Sequence, residues 1–252
     1  MSSAIVLPGI GLHLLTLVGS GLLLAGIVKG ATGLGYASSA LPFLVYTLEL
    51  EQAIALVLMP AMATNVSVAI GNGFLIETGR RFAILYLAML PGIALGIVLL
   101  GAVQARVAVL VLGVTIVAYA LFALARPTLA ISGRAARALQ MPVGLLNGVL
   151  TGLTGSQVMP LVPYVMALGL EPARLVQAIN LGVLIASMVL AAALVVNGMA
   201  SDATMLASML AVLPALAGVA IGQRLRPLIP AEHFRTVVLL VLLVSGAGML
   251  LR

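Results

Sequence analysis

Residues 82–105 read FAILYLAMLPGIALGIVLLGAVQA, and none of them is charged. A helix needs ~20 consecutive apolar residues to cross the hydrocarbon core of a bilayer, and this stretch supplies them. It has company. Residues 2–28, 30–48, 52–76, 107–125, 138–170, 175–201, 203–223 and 236–251 are also free of charge. Hydrophobic residues make up 63% of the 252-residue chain and charged residues 7%, against ~25% charged in soluble domains. A soluble core could not hide that much apolar surface. The chain reads as an all-α, polytopic transmembrane protein, and its function concerns something in or across the bilayer.

The same composition excludes several classes. The net charge of +6 does not point to nucleic acid, because the basic residues are thinly spread and lack interleaved aromatics. With no cysteine there is no disulfide, thiol nucleophile or Cys-based metal site. His13 and His233 lie far apart with no ligand-spaced companions, so neither a metal nor a cofactor is expected. No basic segment precedes the first apolar run, which is read as a permanent span rather than a cleaved signal.

Ten apolar segments can be drawn, near 10–28, 36–48, 52–72, 82–103 and 107–125, then 141–152, 157–169, 173–196, 203–223 and 235–251. Alternating sides along them puts Lys29, Arg80, Arg81, Arg126, Arg134, Arg137, Arg174, Arg224, Arg226 and Arg235 on one side, and only Arg106 and Arg252 on the other. The positive-inside rule makes the first side cytoplasmic. Both termini are then outside.

Residues 126–140 read as a cytoplasmic linker between an element of residues 1–125 and one of residues 141–252. Each holds five segments, and two odd-numbered halves of similar sequence must sit upside down relative to one another. The halves do look alike. Gly26-x-x-x-Gly30-x-x-Gly33 matches Gly148-x-x-x-Gly152-x-x-Gly155, LELEQA (48–53) resembles LGLEPA (168–173), and Leu90-Pro91 and Leu213-Pro214 each precede spaced glycines. Inverted repeats with interrupted or re-entrant helices are a secondary-transporter architecture. Their substrates bind near the midplane, at paired Gly-interrupted segments. Here the pair is Lys29–Gly35 (KGATGLG) and Thr151–Gln157 (TGLTGSQ).

A helix restarting after such a break offers free N–H groups and the positive end of its dipole, a ready anion site. Gly33, Gly35 and Gly155 suit the break itself, whereas Gly92, Gly96, Gly218 and Gly222 read as close-packing faces. Thr32, Ser38 and Ser39 in the first half, and Asn147, Thr151, Thr154, Ser156 and Gln157 in the second, supply donors for a small oxyanion. Lys29, the chain's one lysine, adds positive potential beside the first break. The alternative is that it ends a helix and snorkels to the headgroups. Asn65 and Asn180 face either a central cavity or a neighbouring helix. No Asp or Glu sits deep within an apolar run, which argues against a carboxylate proton relay.

These stretches resemble the sulfite exporter TauE/SafE family of membrane permeases. The resemblance lies in GIVKGATGLGYASSALPFL (26–44), in GVLTGLTGSQVMPLVPYVMALGLEPA (148–173) and in LPALAGVAIGQRL (213–225), which precedes a basic, Pro-bearing loop. Gly-Leu-Gly followed by Tyr36 departs from the family's commoner glycine-triplet loop and leaves the substrate open. The resemblance implies a permease, not an enzyme, that moves a small sulfur-containing or carboxylate anion across the bacterial inner membrane, with export favoured. The expected partners are that anion and the bilayer, and a homo-oligomer is compatible with the reading. The rival reading is a membrane subunit with a structural or assembly role.

Overall fold

The computed structural model describes residues 12–71, 73–125, 129–228 and 231–251. The first eleven residues, Arg126 and Arg252, on which part of the topology reading rests, lie outside the described residues, as do the side chains of His13 and His233. Twelve helices, and no strand, occur among the described residues. They are α1 (Leu12–Thr32), α2 (Tyr36–Leu44), α3 (Leu50–Gly71), α4 (Leu75–Arg81), α5 (Ala83–Ala102), α6 (Ala105–Ala125), α7 (Gly133–Thr154), α8 (Leu161–Ala167), α9 (Pro172–Val196), α10 (Asp202–Leu210), α11 (Val212–Leu225) and α12 (Ala231–Leu250). In hydrocarbon every peptide group must be satisfied within the chain, so apolar runs of this length become helices. Four are long and apolar enough to cross a bilayer: α5, α6, α9 and the nearly continuous α10–α11.

The helix boundaries follow local chemistry. Pro172 opens α9, where its missing N–H costs nothing. Ser201 caps α10 by accepting the Thr204 N–H at 3.2 Å. α1 and α7 both stop at glycines in left-handed conformation: Gly33 and Gly35 (φ 81° and 82°) and Gly155 (φ 74°). Three features differ from the segment reading. The run 203–223 is divided at Ala211, and α7 reaches back to Gly133 because Ala135, Ala136, Ala138 and Leu139 are strong helix formers. α4, a charged helix, was not among the apolar segments.

Small residues bring two pairs of helices into backbone contact. Gly26 of α1 lies against Ala215–Val219 of α11, and Gly30 against Val219–Gln223, so these helices run parallel. Gly92 of α5 lies against Leu145–Val149 of α7, and Gly96 against Val149–Leu153, again parallel. A Cβ on Gly222 would stand 2.2 Å from Ile27 O, and one on Gly96 2.4 Å from Val149 O. The packing role read for Gly92, Gly96, Gly218 and Gly222 is thus what the backbones require. By contrast α6 and α12 run antiparallel. Gly113 meets Gly246 and Met249 at one end, while Arg235 donates to Ala123 O at 2.7 Å at the other. α3 and α9 also oppose one another, since Arg174 at the start of α9 pairs with Glu77 and lies 4.9 Å over the Phe74 ring, just beyond the end of α3. Pro60 lacks the N–H that would bond Leu56 O in α3. The Ser208 hydroxyl of α10 donates to that carbonyl at 2.9 Å and accepts the Met59 N–H at 3.1 Å.

Candidate functional site

Lys29 lies in the last turn of α1, four residues before the first kink, and is 4% exposed. It is buried rather than extended to a surface, so the charge bias read from the sequence rests on the nine arginines alone. Its ammonium donates to Asn65 Oδ1 of α3 and to Asn180 Oδ1 of α9, each at 2.5 Å. Both carboxamides are held in place by their own amino groups. Asn65 Nδ2 donates to Ala61 O at 2.6 Å. Asn180 Nδ2 donates to Val176 O at 2.8 Å and to Gly33 O at 3.3 Å. The two oxygens are therefore aimed at the lysine from the two halves of the chain. An ammonium has three donors. Two are taken by these carboxamides.

A cavity of about 20 Å³ adjoins this centre, bordered by Gly35, Tyr36, Ser38, Gln157 and Val158 as well as Lys29, Asn65 and Asn180. That is room for about one water or one oxygen-sized group. No Asp or Glu borders it. The two glycine-bearing loops, more than a hundred residues apart in sequence, thus face each other across a single polar pocket.

The loops serve it differently. In the first, Thr32 closes the turn. Its hydroxyl lies 2.8 Å from Val28 O and 2.9 Å from Leu34 O and accepts the Leu34 N–H at 3.2 Å. Gly33 and Gly35 supply the left-handed backbone, and Ser38 borders the pocket. In the second, the polar side chains brace the loop itself. Asn147 Nδ2 donates to Gln157 O and Met159 O at 3.2 and 2.9 Å. The Thr151 hydroxyl donates to Ser156 O at 3.3 Å. The Thr154 hydroxyl donates to Leu150 O at 2.6 Å and accepts the Ser156 N–H at 3.2 Å. Gly155 makes the turn, with Ser156 buried behind it. Gln157 alone of this set borders the pocket, its carboxamide donating to Ser187 Oγ at 3.0 Å. So Lys29, Gly35, Ser38, Asn65, Gln157 and Asn180 are brought together, Thr32 and Gly33 shape the kink beside them, and Asn147, Thr151, Thr154, Gly155 and Ser156 stand behind the second wall.

Sequence reasoning passed over Tyr36 and Ser187. The Tyr36 hydroxyl has no hydrogen-bond partner, and the residue is 2% exposed on the pocket wall. Its position directly after the kink, as the first residue of α2, is the signal that marks it. Ser187 carried none, because its pairing with Gln157 depends on where α9 passes the second loop.

No curated protein and no solved structure matches the chain. The family model described as Sulfite exporter TauE/SafE matches residues 18–249, a span that takes in both kinks, Lys29 and both asparagines. Matched over all but its two ends, and built as an all-helical protein with apolar spans, the chain belongs to the sulfite exporter TauE/SafE family.

Proposed function

We propose that the protein is a secondary transporter that exports a small anion, a sulfite, sulfonate or small carboxylate, across the bacterial cytoplasmic membrane by alternating access, with the anion bound at Lys29. Family membership implies a multi-pass membrane transporter of sulfur anions. The observation that carries the finer reading is the buried ammonium. It sits between two neutral carboxamides with no carboxylate bordering its pocket. An ion in the protein interior without a counter-charge costs several kcal/mol, and an incoming anion removes that cost. Oxygens of the ligand would meet Lys29, Ser38, Gln157 and the first-turn N–H groups of α2.

The pairing of helices supports two inverted repeats on either side of the linker. Exchanging α1 with α7, α3 with α9, α5 with α11 and α6 with α12 turns the parallel pair α1–α11 into α7–α5. The exchanged partners α3 and α9, and α6 and α12, run antiparallel to each other, as oppositely oriented copies would. The side carrying the nine arginines is taken as cytoplasmic, with both termini outside. An anion leaving a cell of negative interior gains ~2.3 kcal/mol per charge per 100 mV, so export proceeds without a coupled ion.

The test is reconstitution in liposomes with voltage set by a potassium gradient, screening sulfite, thiosulfate, sulfoacetate and small carboxylates. Voltage-dependent flux of at least one sulfur anion is expected, undiminished when the pH gradient is dissipated. Flux of none of them, or flux that collapses with the pH gradient at clamped voltage, overturns the reading.

A further inference from the structure

A second and larger cavity, of about 290 Å³, adjoins the kink and shares Leu34, Gly35, Ser38 and Val162 with the lysine pocket. Two arginines, Arg226 and Arg235, border it. Among the described residues neither is paired with a carboxylate. Arg235 spends one N–H group on Ala123 O, and a guanidinium has four more. The start of α2 borders it as well. Its first-turn N–H groups, on Tyr36, Ala37 and Ser38, have no carbonyl within the helix. One turn along, the Ser39 hydroxyl has no partner although the residue is 3% exposed and borders the cavity. A Cβ built on Gly35 would lie 4.0 Å from that hydroxyl. Apart from Thr32 and Tyr119 the remaining walls are apolar, with Val162, Leu175, Leu239 and Leu242 prominent.

We propose that this cavity is a second anion site, in which an organic oxyanion with a short apolar group is held by Arg226, Arg235 and Ser39 before it passes Ser38 to Lys29. A buried hydroxyl without a partner is a cost that a ligand oxygen removes. Two arginines bordering the same cavity as the start of a helix concentrate positive potential where the anion enters. The apolar walls reward a ligand with a hydrocarbon part and give a bare inorganic ion nothing in return for its lost hydration. The inner pocket is closed to little more than one oxygen-sized group, so the larger space is where such a ligand waits. The inference rests on the reading of Lys29 as the transported anion's counter-charge. An anionic lipid headgroup offers the same oxyanion chemistry, and the experiment separates the two sources.

Purified full-length protein in phosphatidylcholine nanodiscs is dialysed to equilibrium against radiolabelled butane-1-sulfonate or sulfite. Two butane-1-sulfonates per chain are expected, against one sulfite. In Arg226→Gln/Arg235→Gln, where glutamine still offers an amide to Ala123 O, one step weakens at least about tenfold, as loss of a hydrogen bond to a charged group implies. The other step is unchanged. Ser39→Ala weakens the same step, and Lys29→Met abolishes the other. A single butane-1-sulfonate, lost in Lys29→Met and indifferent to the arginine and serine variants, overturns the second site alone. Absence of any binding overturns the Lys29 reading with it. Two sulfites per chain overturn the apolar preference. Repeating the measurement with phosphatidylglycerol in the disc should leave both steps intact, and loss of the arginine-dependent step there assigns the cavity to lipid instead.

Discussion

Replacing Lys29 with methionine keeps an unbranched side chain, one atom shorter, and deletes its charge. At about 4 Å from an ammonium, and at an effective dielectric of ~20, an anionic oxygen gains ~4 kcal/mol, a factor of about a thousand in affinity. The effect on folding is smaller. Asn65 Oδ1 and Asn180 Oδ1 each lose a donor 2.5 Å away, and a buried acceptor without a donor costs ~1–3 kcal/mol. The cost of burying an ammonium disappears at the same time, and it is of comparable size. Lys29→Met should therefore reach the membrane in normal amount with a nearly unchanged unfolding midpoint, while liposome flux of sulfite or a sulfonate falls by about three orders of magnitude at subsaturating concentration. Asn180→Asp provides the complementary test. It sets a carboxylate where the amide oxygen now meets Lys29, gives the cation a permanent partner, and should depress flux comparably with the lysine still present. Wild-type flux and affinity in either variant would refute the idea that an unneutralised Lys29 draws the anion in.

Gly96→Ala should destabilise the protein by about 1–3 kcal/mol or more in thermal unfolding, because the new Cβ would stand 2.4 Å from Val149 O and 2.8 Å from Gly152 Cα. Gly19→Ala, with nothing within 4 Å, should be silent in the same assay. At Gly33 the space is open, with Val176 Cγ1 at 4.0 Å, but φ is 81°. Gly33→Ala should cost ~1–2 kcal/mol of backbone strain, with Gly33→Asn recovering part of it. Ser208→Ala leaves Leu56 O and the Met59 N–H without their side-chain partner and should cost ~1–3 kcal/mol. Adding Pro60→Ala restores an N–H for Leu56 O, so a double-mutant cycle should show a coupling of at least ~0.5 kcal/mol.

Uncharged runs such as 82–105 were legible as helices because lipid allows an apolar segment no other way to satisfy its peptide groups. Gly33, Gly35 and Gly155 were legible as breaks because they stood beside polar side chains, and Gly92 and Gly218 as seams because they recur at four-residue spacing without such neighbours. The partners of Lys29 were not legible. Asn65 and Asn180 left two readings open, and only the packing of α3 against α9 at the end of α1, where Lys29 meets both, decides between them. The same limit explains the second loop. Asn147, Thr151 and Thr154 were chosen as donors, but donor type does not reveal that the nearest acceptors are the loop's own carbonyls. Ser208 drew no notice, since its role exists only because Pro60 of another helix leaves a carbonyl without its N–H.

The seams α1–α11 and α5–α7 have a mechanical consequence. Where one peptide ribbon lies directly on another, no rotamers stand between them to be rearranged, so neither ribbon can slide or tilt without colliding with its mate. Each pair must travel as one rigid beam. Lys29, on one beam, is bonded to asparagines of α3 and α9 that belong to neither.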